Sequence, residues 1–195
     1  PSGFYYEWAG QSEYLESAMQ RLIYIIPLTF VIIFALIFLA LRNFTYTMII
    51  FFTLPFALTG GIFYLEFLNF NMSIAVIVGF LALLGVAAET SIVMIVYLHE
   101  AIIELKEKAI KIEKIDVFNA IYKGAVLRLR PKLMTLFAIL GGLIPIMYIN
   151  SVGSEVMQRI AAPMIGGMLS SAFLTLIIIP SIFYIIIMRQ ENKRI

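Results

Sequence analysis

Apolar residues gather along this chain in five long runs separated by polar breaks, at positions 22–41, 44–67, 72–98, 131–149 and 164–188. About 20 apolar residues in a helix, rising 1.5 Å each, cross a hydrocarbon core of about 30 Å. The pattern therefore predicts an all-α membrane protein, a five-helix transmembrane bundle whose surroundings are the lipid bilayer. Only Arg42 and Asn43 interrupt the first two runs, which makes them a tight antiparallel pair.

The one long polar stretch is 99–130. Its apolar residues Ile102, Ile103, Leu105, Ile110, Ile112, Ile115, Val117, Phe118, Ile121 and Tyr122 alternate with charges, which predicts an amphipathic helical connection lying on the membrane surface. Pro131 suits the first turn of the fourth helix, where its missing N–H costs nothing. A polar loop is expected at 150–163 and a basic tail at 189–195. Residues 1–21 carry Glu7, Glu13, Glu16, Trp8 and several tyrosines. They suit either the edge of a folded soluble region entering a lead-in helix or an aromatic belt at the membrane interface.

Charge sets the orientation. Arg42, Lys106, Lys108, Lys111, Lys114, Lys123, Arg128, Arg130, Lys132, Arg189, Lys193 and Arg194 fall on one side of a five-span chain, against Arg21 and Arg159 on the other. The positive side is expected to be cytoplasmic. The N-terminal segment and the loops near Glu66 and Glu155 are then outside, or periplasmic in a double-membraned bacterium, with the connection at 99–130 and the C-terminus inside.

With 62% hydrophobic and 13% charged residues, the composition lies outside the range of soluble domains. The absence of cysteine removes disulfides and thiolate metal sites, and His99 is the lone histidine. No Ser/His/Asp arrangement, phosphate loop, pair of catalytic carboxylates or nucleic-acid patch is present, so neither an enzyme, a resident cofactor nor a nucleic-acid partner is expected. The chain opens on Pro1 without a methionine and is expected to be a piece of something longer.

Glu89 lies deep inside the third run. A carboxylate within a membrane is costly unless protonated, paired or wetted, and marks a functional site by default. It either takes up and releases a proton or remains a neutral acid bonded to a neighbouring helix. Counting back at helical spacing gives Gly85, Ala82, Gly79 and Ala75, a small-residue packing seam that lets another helix approach. Lys132 is either a second member of the site or a lysine snorkelling to the surface. With Pro131 opening its helix, contact with Glu89 needs that helix to begin deeper or water to reach in. Thr90, Ser91 and Thr135 either join such a network or bond their own backbone. Of the ten methionines most fill apolar gaps, while Met157 sits in the polar outer loop as one soft thioether ligand.

The segments YYEWAGQSEYLESA, TLPFALTGG, GVAAETSIVM, GAVLRLRPKLMT and GSEVMQRIAAPMIGGM, together with the final IIIP, resemble the C-terminal membrane part of the resistance-nodulation-division (RND) efflux pumps. Glu at 89 with Lys at 132 is similar to the copper/silver type of their heavy-metal branch. The resemblance implies the last five spans of a twelve-span, proton-driven inner-membrane antiporter. Glu89, Lys132 and Thr135 would belong to its proton relay, and Met157 to the metal path. Transported Cu(I) or Ag(I) and protons, a missing N-terminal half, a homotrimer, a periplasmic adaptor and an outer-membrane channel are implied with it. Export of divalent metals or organic compounds, and a truncated non-transporting scaffold, are the alternatives.

Overall fold

The computed structural model describes residues 11–108 and 114–191. It holds five α-helices, α1 Gln11–Leu41, α2 Phe44–Phe67, α3 Ile74–Lys108, α4 Lys114–Leu143 and α5 Ser154–Glu191, with a 3-10 turn at Pro145–Tyr148. All five helices are long and apolar enough to cross a membrane, and the chain is a multi-pass membrane protein.

Helix α5 is the hub. A side chain added at Gly60 of α2 would run into Gly166 O and Ser170 Oγ, and one added at Gly166 would run into Gly60 O, so the two backbones touch where the helices cross. The Ser170 hydroxyl donates across that crossing to Ala57 O at 3.0 Å. Lipid tails are as apolar as leucine, so such close backbone approach and inter-helix hydrogen bonds drive association inside a bilayer. On its next face Gly167 meets Leu83 of α3. Leu83, Leu136, Leu140, Ile165, Met168 and Ala172 then join α3, α4 and α5 in one buried cluster.

Helix α1 is peripheral: Ile23, Tyr24, Leu28 and Val31 are exposed, and among its described side chains Ile37 alone is fully buried. Its link to α2 is as tight as expected. Arg42 takes a left-handed backbone (φ 48) and Asn43 caps α2 by accepting from Thr45 N at 3.0 Å.

Two expected connections are corrected. The stretch 99–130 is no separate helical segment, since α3 runs on to Lys108 and α4 starts at Lys114. Of the apolar residues that suggested a membrane-lying face, Ile102, Val117 and Ile121 are buried where the two helices pack, while Ile103, Ile115, Phe118 and Tyr122 are exposed. Gly124 makes room for this by facing Ala101 Cβ and Tyr97 O. Pro131 is consequently inside α4 and not at its start. The outer loop expected at 150–163 is shorter too, because α5 begins at Ser154 and contains Pro163. The Ser154 hydroxyl donates to Ser151 O at 2.7 Å, and Gln158 Nε2 donates to Ile149 O at 2.8 Å, tying the turn to the helix start. Pro163 is accepted in a helix interior because it fills space against Gly61 and Gly79. The readings made for 1–10, 109–113 and 192–195 lie outside the described residues.

Gly166→Val should separate the α2–α5 crossing and cost about 1–3 kcal/mol or more by overpacking. Thermal unfolding of the full-length protein in mild detergent checks this, with Leu169→Val on the exposed side of the same helix expected to change little.

Candidate functional site

Glu89 and Lys132 line one cavity of about 150 Å³ between α3 and α4. The cavity follows from helical register. Val86, Glu89, Thr90, Val93 and Met94 recur at three- and four-residue steps on α3, and Arg128, Pro131, Lys132, Thr135 and Ile139 do so on α4. Because α4 starts at Lys114, Lys132 lies about 27 Å along it at 1.5 Å per residue and reaches the depth of Glu89. A cavity of this size has room for several waters, and its two ionisable groups offer them partners.

The two charged groups do not hydrogen-bond to each other. Lys132 Nζ is buried and has no hydrogen-bond partner among the described residues, while Glu89 is exposed on the cavity's rim. Lys132 also borders a smaller void of about 20 Å³, where α5 supplies Met168, Ser171 and Ala172. The amine therefore stands between the Glu89 cavity and the hub helix.

The hydroxyls nearby bond their own helices. Thr135 Oγ1 donates to Pro131 O at 3.0 Å, Thr90 Oγ1 to Ala87 O at 3.1 Å and Ser91 Oγ to Ala87 O at 2.7 Å. Each has thereby committed its proton and keeps only acceptor capacity. For Thr90 and Thr135, which line the cavity, that capacity is what a lysine ammonium can use.

Sequence reasoning passed over Arg128, counting it only toward topology. Its guanidinium lies 4.2 Å from the centre of the Tyr97 ring and closes one end of the cavity by a cation–π contact. The spacing Arg128, Lys132, Thr135 does put all three on one helical face, but the signal exists only once α4 is known to continue through Pro131.

The small-residue seam divides. Positions 75, 79, 82 and 85 spread over about 120° of the helix at 3.6 residues per turn. Gly79 lies at one edge, buried against Ile160 and Pro163 of α5, while Ala82 is exposed and Gly85 meets no atom within 4 Å. Ala75 is half-buried. Gly79 is thus in contact with α5, while Ala82, Gly85 and Glu89 form an open face of α3. Gly141 and Gly142 of α4 are likewise open. Met157 is 60% exposed in the first turn of α5, far from the Glu89 cavity in sequence and in depth. Among the described residues no group of three or more His, Cys, Asp or Glu is placed to hold a metal ion.

A helical membrane bundle with an ionisable pair facing one internal cavity is the class of protein these features define. A profile of the AcrB/AcrD/AcrF family matches residues 1–187. The chain belongs to this family, the resistance-nodulation-division proteins. It is 47% identical over 192 residues to the putative cation efflux system protein SilA of Salmonella typhimurium, covering 96% of this chain and 18% of that protein. Identity is 44% over 191 residues to the cation efflux system protein CusA of Escherichia coli K12, with the same 96% and 18% coverage. It is 35% over 192 residues to the cobalt-zinc-cadmium resistance protein CzcA of Cupriavidus metallidurans, covering 98% and 17%. A crystal structure of a heavy metal efflux pump superimposes with a TM-score of 0.76 at 31% identity, over 93% of this chain and 18% of that one. The chain thus spans about a fifth of the length of these relatives.

An unpartnered buried amine costs about 1–3 kcal/mol. Lys132→Met, similar in length and apolar, should therefore leave the thermal stability of the full-length protein unchanged or raised, and a clear fall in unfolding temperature would mean that the amine is satisfied in the folded protein.

Proposed function

We propose that the chain forms part of the membrane domain of a proton-driven exporter of heavy-metal cations, with Cu(I) and Ag(I) as its cargo. The observation that carries this reading is the shared cavity of Glu89 and Lys132. A charged Glu89 attracts the Lys132 ammonium across the cavity and draws α3 and α4 together. Uptake of a proton by Glu89 abolishes the attraction and leaves the amine to the hydroxyl oxygens of Thr90 and Thr135. A two-state helix pair biased by one proton is what coupling requires. Water in the cavity supplies the path for the proton, and Arg128 held on Tyr97 keeps a positive charge at one end of it.

The names of the relatives support a cation as cargo, and the lower identity to the cobalt-zinc-cadmium protein favours a cargo other than those divalent metals. Identity falls from 47% and 44% for two cation efflux proteins to 35% for a cobalt-zinc-cadmium protein. Met157 offers a thioether, a ligand suited to a soft monovalent ion and poor for a hard one. On this reading the exposed Ala82, Gly85, Gly141 and Gly142 receive helices from the rest of the protein, which sits in the inner membrane as a homotrimer. An adaptor and an outer-membrane channel complete the export route.

The test is copper and silver tolerance of a strain lacking its own exporter and carrying the full-length protein. Wild type should restore growth, and Glu89→Gln and Lys132→Met should each remove most of that gain at equal membrane abundance. Restored tolerance to zinc or cobalt alone would replace the cargo, and full activity of both variants would take the pair out of the mechanism.

A further inference from the structure

An apolar groove of about 540 Å³ runs between the outer sides of α4 and α5, away from the Glu89 cavity. It is lined along α4 from Phe118 to Leu129 and along α5 from Leu176 to Ile185. The eleven helical steps from Phe118 to Leu129 make it about 17 Å long, close to one leaflet of a hydrocarbon core about 30 Å thick. At one end the ring of Phe118 packs edge-on against Tyr184 at 6.0 Å and stacks with Tyr122 at 6.4 Å. These contacts fix Phe118 and Tyr184 at the same depth, and both Tyr122 and Tyr184 place a phenol at that end.

The charges continue from there. Lys114 stands one helical turn before Phe118 on α4, and Arg189 one turn after Ile185 on α5, both exposed and both beyond the same end of the groove. Helices α4 and α5 run in opposite directions, so the two cations lie at the same end of the groove although they come from opposite ends of their helices. The mouth therefore combines two positive charges and two phenols with an apolar trough one leaflet deep. This matches an anionic amphiphile lying along the bilayer normal. Basic pockets between spans on the cytoplasmic side attract anionic headgroups, each cation near the surface contributing about 1 kcal/mol.

We infer that the α4–α5 groove binds one phospholipid with an anionic headgroup, its phosphate held between Lys114 and Arg189 and one acyl chain laid along the groove. The apolar wall alone would accept any lipid tail, and the choice of an anionic one comes from the charges. Ser181 gives a means to close the trough, since its side chain is exposed and its hydroxyl merely bonds Ile177 O at 2.7 Å.

Native mass spectrometry of the delipidated full-length protein, titrated with phosphatidylglycerol or with phosphatidylcholine of identical chains, tests this. Phosphatidylglycerol should be retained at least tenfold more tightly, and the preference should vanish in a Lys114→Gln, Arg189→Gln double variant. Ser181→Phe should weaken retention of phosphatidylglycerol by a similar factor, and Val126→Trp, also on the exposed wall, serves if that variant does not fold. Equal retention of both lipids would overturn the proposal by making the groove plain apolar surface. Competition by free glycerol phosphate at matched concentration would overturn it in favour of a soluble-anion site. Loss of selectivity with the charge variants, but no effect of either groove-filling variant, would place the headgroup elsewhere and overturn it as well.

Discussion

The backbone contact between α2 and α5 at Gly60 and Gly166 is the constraint from which the remaining geometry follows. Inside a bilayer helices gain little by hiding apolar side chains from lipid, so they must gain by packing closer than lipid can. Glycines on both helices allow that approach, and Ser170 donating to Ala57 O fixes the register. With α5 seated on α2, its other faces take Leu83 of α3 and Leu136 and Leu140 of α4. Both walls of the Glu89 cavity are thus held by the same hub. Their separation is set by α5 and by the direct packing of α3 on α4 around Gly124, with no hydrogen bond between Glu89 and Lys132, which leaves room for water between the two charged groups.

The polar groups of the cavity are organised around acceptance. Thr90 and Thr135 donate their protons to carbonyls of their own helices, so the oxygens facing the cavity offer lone pairs. A lysine ammonium needs such acceptors, and a neutral carboxylic acid needs at least one. The open side of the same cavity is the face of α3 carrying Ala82, Gly85 and Glu89. Small residues beside an ionisable one permit a further helix to come near and supply the remaining partners.

Much of the fold was legible because its signals are local. Five apolar runs, an asparagine after an arginine at the α1–α2 turn, and a surplus of lysine and arginine on alternate breaks all act within a few residues. The two misread connections share a physical cause. An amphipathic helix shows the same pattern whether its apolar face lies on lipid or on another helix, and Ile102, Val117 and Ile121 face each other across the α3–α4 hairpin. Likewise proline marks a helix start more often than an interior, and only the packing of Pro163 against Gly61 and Gly79 reveals why α5 continues through it. The error over Pro131 hid the depth of Lys132 and, with it, Arg128. Glu89 could be singled out from sequence since a lone carboxylate in an apolar run needs no partner to be conspicuous. Arg128 could not, because arginine near the end of a span is ordinary and its place over Tyr97 is a tertiary fact.

The long helices also bear on how an event at Glu89 would be felt elsewhere. Gly79 lies ten residues before Glu89 on the unbroken helix α3, about 15 Å toward its N-terminal end at 1.5 Å per residue. There it is pressed against Ile160 and Pro163, within two turns of Met157 on α5. A glycine in backbone contact tolerates sliding poorly, since any rotation of α3 brings a bulkier neighbour against α5. On the proposed mechanism, a shift of α3 that follows protonation of Glu89 must therefore move the start of α5 with it. Glu89 and the thioether of Met157 are joined by one rigid helix and one close contact, and on that mechanism no chain of polar groups is needed between them.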